Sequence, residues 1–310
     1  VSRIVTGVVL IVLFVAAGIG YVGWRASAAD GPTAGPLDLA RTGTLLYVDR
    51  TSTVRQVARD HPDQVIGSGP TCHRVYAAAG TLGCLRTTGV PMSAELDIYR
   101  NGGPSKTLPV WGDPSRVRVS RDGRLLGWTV FRAGDSYMRQ GAFSTTAGIF
   151  DLRDGTQYGS LEDFAMVVDG KRYASPDVNF WGVTFLSGST FYATMASKGR
   201  TWLMRGELSS RRLTSVRENV ECPSVSPDQG RIVYKFRTGD RWRLHVLDLK
   251  TGADHPLAET AHIDDQAAWL DDQMIAYGKN DGSGPAIFTV PADGTGSPYR
   301  LLAGSSPAPV

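Results

Sequence analysis

Cysteine, histidine and methionine are scarce in this chain of 310 residues, at 3, 5 and 6 copies. No Cys-x-x-Cys pair or His-rich spacing is present, so the usual zinc frameworks are excluded and no metal ligand is assigned. The histidines, His61, His73, His245, His255 and His262, are dispersed, and the nucleophile elbow Gly-x-Ser-x-Gly is missing. The chain therefore offers no catalytic residue to name, and His245, in an alternating strand, reads as structural. Asn280-Asp281-Gly282-Ser283-Gly284 has turn residues but lacks the later bidentate glutamate of a calcium loop. An excess of one charge is also lacking: 33 Lys and Arg stand against 30 Asp and Glu, a net charge of +3. The basic residues form no stripe, which excludes a nucleic-acid footprint. Gly18-Ile19-Gly20-Tyr21-Val22-Gly23 matches a dinucleotide fingerprint in letters only, since no βαβ unit surrounds it, and no cofactor is expected.

One long apolar run is present, from Ile4 to Trp24 between Arg3 and Arg25. As a helix it would measure roughly 30 Å, the thickness of a bilayer core. Residues 1–24 are read as a retained signal-anchor, which puts the rest on the outer face of the cytoplasmic membrane as a single-pass protein. The alternative is a cleaved leader, with Ala26-Ser27-Ala28 as its small-residue site and a secreted product. Residues 25–42, small and rich in Pro, Gly and Ala, read as a flexible linker.

Glycine is abundant, at 36, and turn dipeptides recur from Asp122-Gly123 to Asp293-Gly294. That texture implies many short strands. An apolar run, a Ser/Asp-rich tight turn and a second apolar run recur along the chain. The clearest copies run from Val117 through Ser120-Arg121-Asp122-Gly123 to Trp128, and from Val225 through Ser226-Pro227-Asp228 to Tyr234; looser ones run from Thr184 to Tyr192 and from Ala268 to Tyr277. Proline presets one turn dihedral, aspartate bonds its own backbone and glycine accepts positive φ, so each copy makes a hairpin. A third strand follows at Gly148–Asp151, Leu244–Leu249 and Ala286–Val290, and a fourth at Tyr299–Leu302. Four strands repeating at about 40 residues make a propeller blade.

The expected fold is all-β, a six-bladed propeller with four-stranded antiparallel blades over 43–304, preceded by one transmembrane helix and followed by a tail at 305–310. Blades fall near 43–71, 72–112, 113–176, 177–219, 220–260 and 261–304, with five or seven left open because the first two lack the sharp turn. Extra segments at 133–146 and 159–174 are expected as surface loops, and the segment near Leu45–Asp49 as a candidate for completing the last blade. Cys72 and Cys84 flank a short hairpin that can bring their sulfurs together, closing a loop worth about 2 to 3 kcal/mol in the chain-entropy picture. Cys222 is left unpaired, packed as a small apolar residue, with pairing to another chain open.

Ser226-Pro227-Asp228, Arg231-Ile232-Val233-Tyr234, Leu244–Leu249 and Thr251-Gly252 together resemble the repeat of TolB-like propellers, of the PD40 or WD40-like class. The stretches Asp177–Phe185 and Arg217–Pro227 further resemble a group of exported, single-anchor, TolB-like translocation proteins of high-GC Gram-positive bacteria. The resemblance implies a non-enzymatic binding platform for extracytoplasmic or membrane proteins. TolB itself carries an α/β domain before its propeller where this sequence has only the linker, so the outer-membrane role of TolB is not carried over.

Aligning the blades by their turns puts Ser115, Trp181, Glu221 and Asp265 at equivalent places on the innermost strands, with Asn179 and Asn219 just upstream and Asp264 adjacent. Such a ring would edge the channel mouth, with Trp181 as a platform and the acids as acceptors for a peptide or glycan; equally, these residues could only pair strand ends and line a wet channel. An enzyme acting on cell-wall glycan or peptide through these acids is the alternative function. Asp271-Asp272, at a hairpin turn, is structural.

Overall fold

The computed structural model describes residues 34–89, 93–132 and 144–310, together with Gly18. Pro36–Val310 forms one compact unit. Residues 4–24, read above as a membrane span, lie outside the described residues apart from Gly18, and among the described residues no helix is long and apolar enough to cross a membrane.

Strands dominate because the chain alternates β-branched and aromatic residues between turn residues. Six sheets form, each built on four antiparallel strands. Blade 2 comprises Arg74–Ala78, Thr81–Gly89, Ser93–Arg100 and Gly103–Trp111. Blade 3 comprises Asp113–Val119, Leu125–Phe131, Thr145–Asp151 and Gln157–Tyr158. Blade 4 has Asn179–Phe185, Thr190–Ser197, Arg200–Glu207 and Arg212–Glu218; blade 5 has Glu221–Val225, Arg231–Thr238, Arg241–Asp248 and Asp254–Pro256. Blade 6 has Ala268–Trp269, Met274–Asn280, Pro285–Pro291 and Tyr299–Ala303.

Blade 1 closes the ring. Its strands Thr44–Val48, Thr53–Ala58 and His61–Thr71 take their innermost partner from the other end of the chain, Ser305–Pro309, with Leu45 opposite Pro309 and Leu46 opposite Ala308. The segment near Leu45–Asp49 thus belongs to the first blade, and the last blade is complete without it. Residues 305–310 are not a free tail, because Thr44–Val48 would otherwise be an unpaired edge at the channel. A second difference concerns blade 3. The segment expected as a surface loop at 159–174 instead contributes Ala165–Val168 and Lys171–Tyr173 to the outer edge of blade 4, the former parallel to Arg212–Glu218. Residues 133–143 of the other expected loop lie outside the described residues, and Thr145 and Thr146 are strand.

The recurring turn works through its side chains. Ser120 donates to Asp122 and accepts the Leu125 N–H at 2.8 Å; Ser226 donates to Asp228 and accepts the Arg231 N–H at 2.9 Å. Asp49 in blade 1 and Asp271 in blade 6 likewise accept backbone N–H groups across their turns. Each aspartate replaces the hydrogen bonds that a tight turn denies its own backbone.

Six apolar clusters fill the seams between neighbouring blades. Leu85, Leu96, Val117, Leu126 and Trp128 join blades 2 and 3, while Tyr192, Leu203, Ile232 and Tyr234 join blades 4 and 5. Aromatic rings seat against glycine: a Cβ on Gly148 would strike Trp128, and one on Gly206 would strike Phe191. Cys72 and Cys84 are disulfide-bonded, with Cα atoms 5.4 Å apart, in the seam between blades 1 and 2.

Candidate functional site at the channel rim

All six innermost strands run in one sense, so their first residues share one end of the channel and their last residues the other. Three adjacent strands carry an irregularity at the same height near the first end. Register shifts between Trp181 and Thr184 and between Glu221 and Ser224, and the blade 3 pairing skips Ser115. Gly182 and Cys222 both adopt positive φ there, and a Cβ on Gly182 would meet the Cys222 Cα at 2.8 Å. Threonines of the neighbouring strands hold the irregular backbone: Thr129 accepts the Gly182 N–H at 3.3 Å and Thr194 the Cys222 N–H at 2.9 Å. Bulges of this kind re-aim side chains. Here Ser115, Trp181 and Glu221 line a cavity of about 600 Å³.

Asp264 lines that cavity too, and also a neighbouring one of about 370 Å³ whose wall includes Arg74 and Asp265. Asp264 accepts from Lys235 at 2.6 Å. Burial pushes the Asp264 carboxyl up, but the charge and hydrogen bond of Lys235, with Arg116 and His262 beyond, outweigh it and hold the group below its ordinary value. Lys235 is only 3% exposed. Burial works against its ammonium, while the Cys222 sulfur and Asp264 together hold its pKa above the usual lysine value. Its ammonium lies over the Trp242 ring, 4.6 Å from the centroid.

Asp265 serves a different end. Its carboxylate accepts the Gly278 N–H at 2.8 Å, bracing blade 6, and it does not line the larger cavity. Asn179 and Asn219 are backbone clamps outside the cavity lining. The first accepts from the Thr145 N–H at 3.0 Å, and the second exchanges two 3.0 Å bonds with the backbone of Arg237.

Several polar atoms at this end are buried without a partner among the described residues: Arg116 Nε, Glu221 Oε1 and Trp242 Nε1, all on residues that line the larger cavity. Glu221 is 4% exposed, so the unmatched oxygen is a standing cost. Below them the channel is crossed. Arg118, 7% exposed, donates to the carbonyls of Gln266 at 3.1 Å and Ala267 at 2.9 Å and lies 4.4 Å over the Tyr76 ring. The Gln266 side chain donates to the Pro223 carbonyl at 2.7 Å. Beyond this crossing a third cavity, of about 530 Å³, opens at the opposite end.

No protein-family model matches the chain, and no curated protein matches it in sequence. Solved structures do match in fold. TolB from Acinetobacter baumannii superposes with a TM-score of 0.59 at 15% identity, over 86% of this chain and 66% of that one. The putative TolB from Agrobacterium tumefaciens gives 0.53 at 12% identity, over 85% and 90%. The chain has a TolB-like propeller fold. A puromycin-hydrolyzing peptidase from Mycobacterium tuberculosis also superposes, with a TM-score of 0.55 at 11% identity, over 87% of this chain but 45% of that one. This chain thus spans less than two thirds of the length of the Acinetobacter TolB and less than half that of the peptidase.

In this TolB-like propeller the alignment of turns located the rim on blades 3, 4 and 5 but fell one residue off on blade 6, where Asp264 rather than Asp265 enters the larger cavity. Cys222 is unpaired and buried, and it also lines the cavity beside Arg116, Glu221 and Lys235. Sequence reasoning missed Arg74, Arg116, Lys235 and Trp242. Lys235 alone left a signal, a single charge inside the buried run Ile232-Val233-Tyr234-Lys235-Phe236. His245 is committed to Asp254 at 3.0 Å within blade 5, where Tyr234 and Arg217 share the same carboxylate; burial, outweighing Asp254, lowers its pKa. Among the described residues no group of three His, Cys, Asp or Glu side chains is placed to hold a metal ion.

Proposed function

We propose that this TolB-like propeller is a binding module whose ligand seat is the 600 Å³ cavity at the first end of the channel, and that it docks an extracytoplasmic or membrane protein. One observation carries the reading: buried polar atoms on Arg116, Glu221 and Trp242 lack partners on the wall of one cavity, and Arg118 and Gln266 cross the channel beneath it. A ligand entering there recovers hydrogen bonds the free protein forgoes, which is how a preformed pocket gains affinity. Trp181 and Trp242 add aromatic wall. Tethering by residues 4–24 would hold this seat at the outer face of the cytoplasmic membrane.

The test is crosslinking with mass spectrometry on the full chain in its native membrane, comparing wild type with a Trp181→Ala/Glu221→Ala variant of equal thermal stability. Partners lost only from the variant support the seat; an unchanged partner set removes it from this end. A second reading, an enzyme acting on cell-wall glycan or peptide, has one observation in its favour: Glu221 and Asp264 line the same cavity. It requires turnover of purified cell-wall fragments that disappears in Glu221→Gln.

A further inference from the structure

Ion pairing at the rim leaves the guanidinium groups of Arg74 and Arg116 and the carboxylate of Glu221 without a charged partner among the described residues. Asp264 is committed to Lys235 and Asp265 to the Gly278 N–H. Arg116 lines the larger cavity and Arg74 the smaller. Arg74, on the first residue of the blade 2 inner strand, makes no side-chain hydrogen bond or ion pair among the described residues. Arg116, on the neighbouring inner strand of blade 3, donates to the carbonyls of Ser115 and Asp264, at 2.8 and 3.4 Å, and has its Nε unmatched. Asp264 is the wall the two cavities share: Arg116 reaches its carbonyl from the larger one, and Arg74 lines the smaller one beside it. Burial first, and Arg116 second, hold the Arg74 guanidinium below its ordinary pKa, while Cys222, Asp265 and Asp264 outweigh burial at Arg116 and raise it. Neither guanidinium makes an ion pair with a carboxylate among the described residues, so an incoming anion gives each a charged partner.

We infer that the Arg74–Arg116 pair receives the free terminal carboxylate of a peptide, whose adjoining peptide group enters the larger cavity. The planar fork of a guanidinium matches a carboxylate with two parallel hydrogen bonds. Glu221 Oε1, lacking a donor, suits the peptide N–H, and Trp242 Nε1, lacking an acceptor, suits a peptide carbonyl. A phosphate fits less well. It offers no N–H to Glu221, and as a dianion it meets the carboxylates of Glu221, Asp264 and Asp265 at the same rim. The inference rests on the reading of the rim as a ligand seat and names the ligand group it holds.

Equilibrium dialysis of the full chain against a random-sequence, N-acetylated tripeptide pool with free carboxylates, and against the same pool C-terminally amidated, separates the two claims. The expected result is retention of the free-carboxylate pool about tenfold above the amidated pool. Arg74→Gln and Arg116→Gln abolish that preference with unchanged circular dichroism, and Arg74→Lys restores only part of it because the charge returns without the fork. Equal retention of both pools overturns the carboxylate assignment and leaves the seat standing. Inorganic phosphate that displaces the free-carboxylate pool at lower concentration than acetate also overturns it. Retention of neither pool overturns the inference, and the crosslinking comparison then judges the seat by itself.

Discussion

The two ends of the channel are built from the same strands and differ in where their acids lie. At the first end, Arg74, Arg116, Lys235, Glu221 and Asp264 crowd around Trp181 and Trp242. At the other, Leu39, Tyr76, Phe185, Trp269 and Val310 line the cavity, and among the described lining residues no acid appears. At the first end the innermost strands of blades 3, 4 and 5 carry register shifts at one height. Chain segments contribute to the far wall: Leu39, from the stretch read as linker, and Val310, past the closing strand, both pack on the cluster of blades 1 and 2. Both ends hold a cavity, but only the first brings acids and bases together on one wall among the described residues.

The experiment with the largest expected effect removes what both ends share. Deleting residues 305–310 strips the innermost strand from blade 1 and exposes Leu45, Leu46 and Val48. Cooperative melting followed by circular dichroism is expected to be lost; a sharp transition within a few degrees of wild type would show that the ring holds without its closing strand. Next in size is Arg118→Leu, which opens the partition between the ends. It leaves the Gln266 and Ala267 carbonyls without their donor, at a cost of about 1 to 3 kcal/mol in urea unfolding. An unchanged midpoint would mean that the crossing contributes nothing to stability.

The smallest effect concerns Asp177, which braces the first end alone. It accepts from the hydroxyls of Ser175 and Ser197 and from the Lys198 N–H, each at 2.6 Å, and these bonds lower its pKa to about 2 from 3.8. Because the folded value is depressed, its contribution is complete above the unfolded value and fades as pH falls through about 2. Asp177→Asn should lower stability at neutral pH and flatten the acid limb between pH 4 and 2, so that the two stability–pH curves converge as pH falls. An identical acid limb in the variant would remove Asp177 from the account.

The blade pattern was legible because its cause is local. Ser120-Arg121-Asp122-Gly123 and Ser226-Pro227-Asp228 satisfy their own backbones within a few residues, so spacing alone revealed hairpins and, from their repetition, six blades. Closure was not legible, because the pairing of Leu45 with Pro309 joins residues from opposite ends of the chain and neither segment carries a turn that announces the other. The hairpin at 165–173 was misread for a related reason: its partner strand, Arg212–Glu218, comes later than the blade it was counted with.

At the rim the same division holds. Turn alignment brought Ser115, Trp181 and Glu221 to one height, since a blade places equivalent residues equivalently, but short irregular segments before Ala268 shifted blade 6 by one residue. Arg74, Arg116 and Lys235 carry no motif; their charges matter only because three separate strands bring them to the channel. What the sequence determined by itself was the strand, the turn and the repeat, where the interacting groups lie within a few residues of one another. Only the tertiary structure decided which charges remain unmatched, because that depends on groups far apart in the chain being buried together at one end of a shared channel.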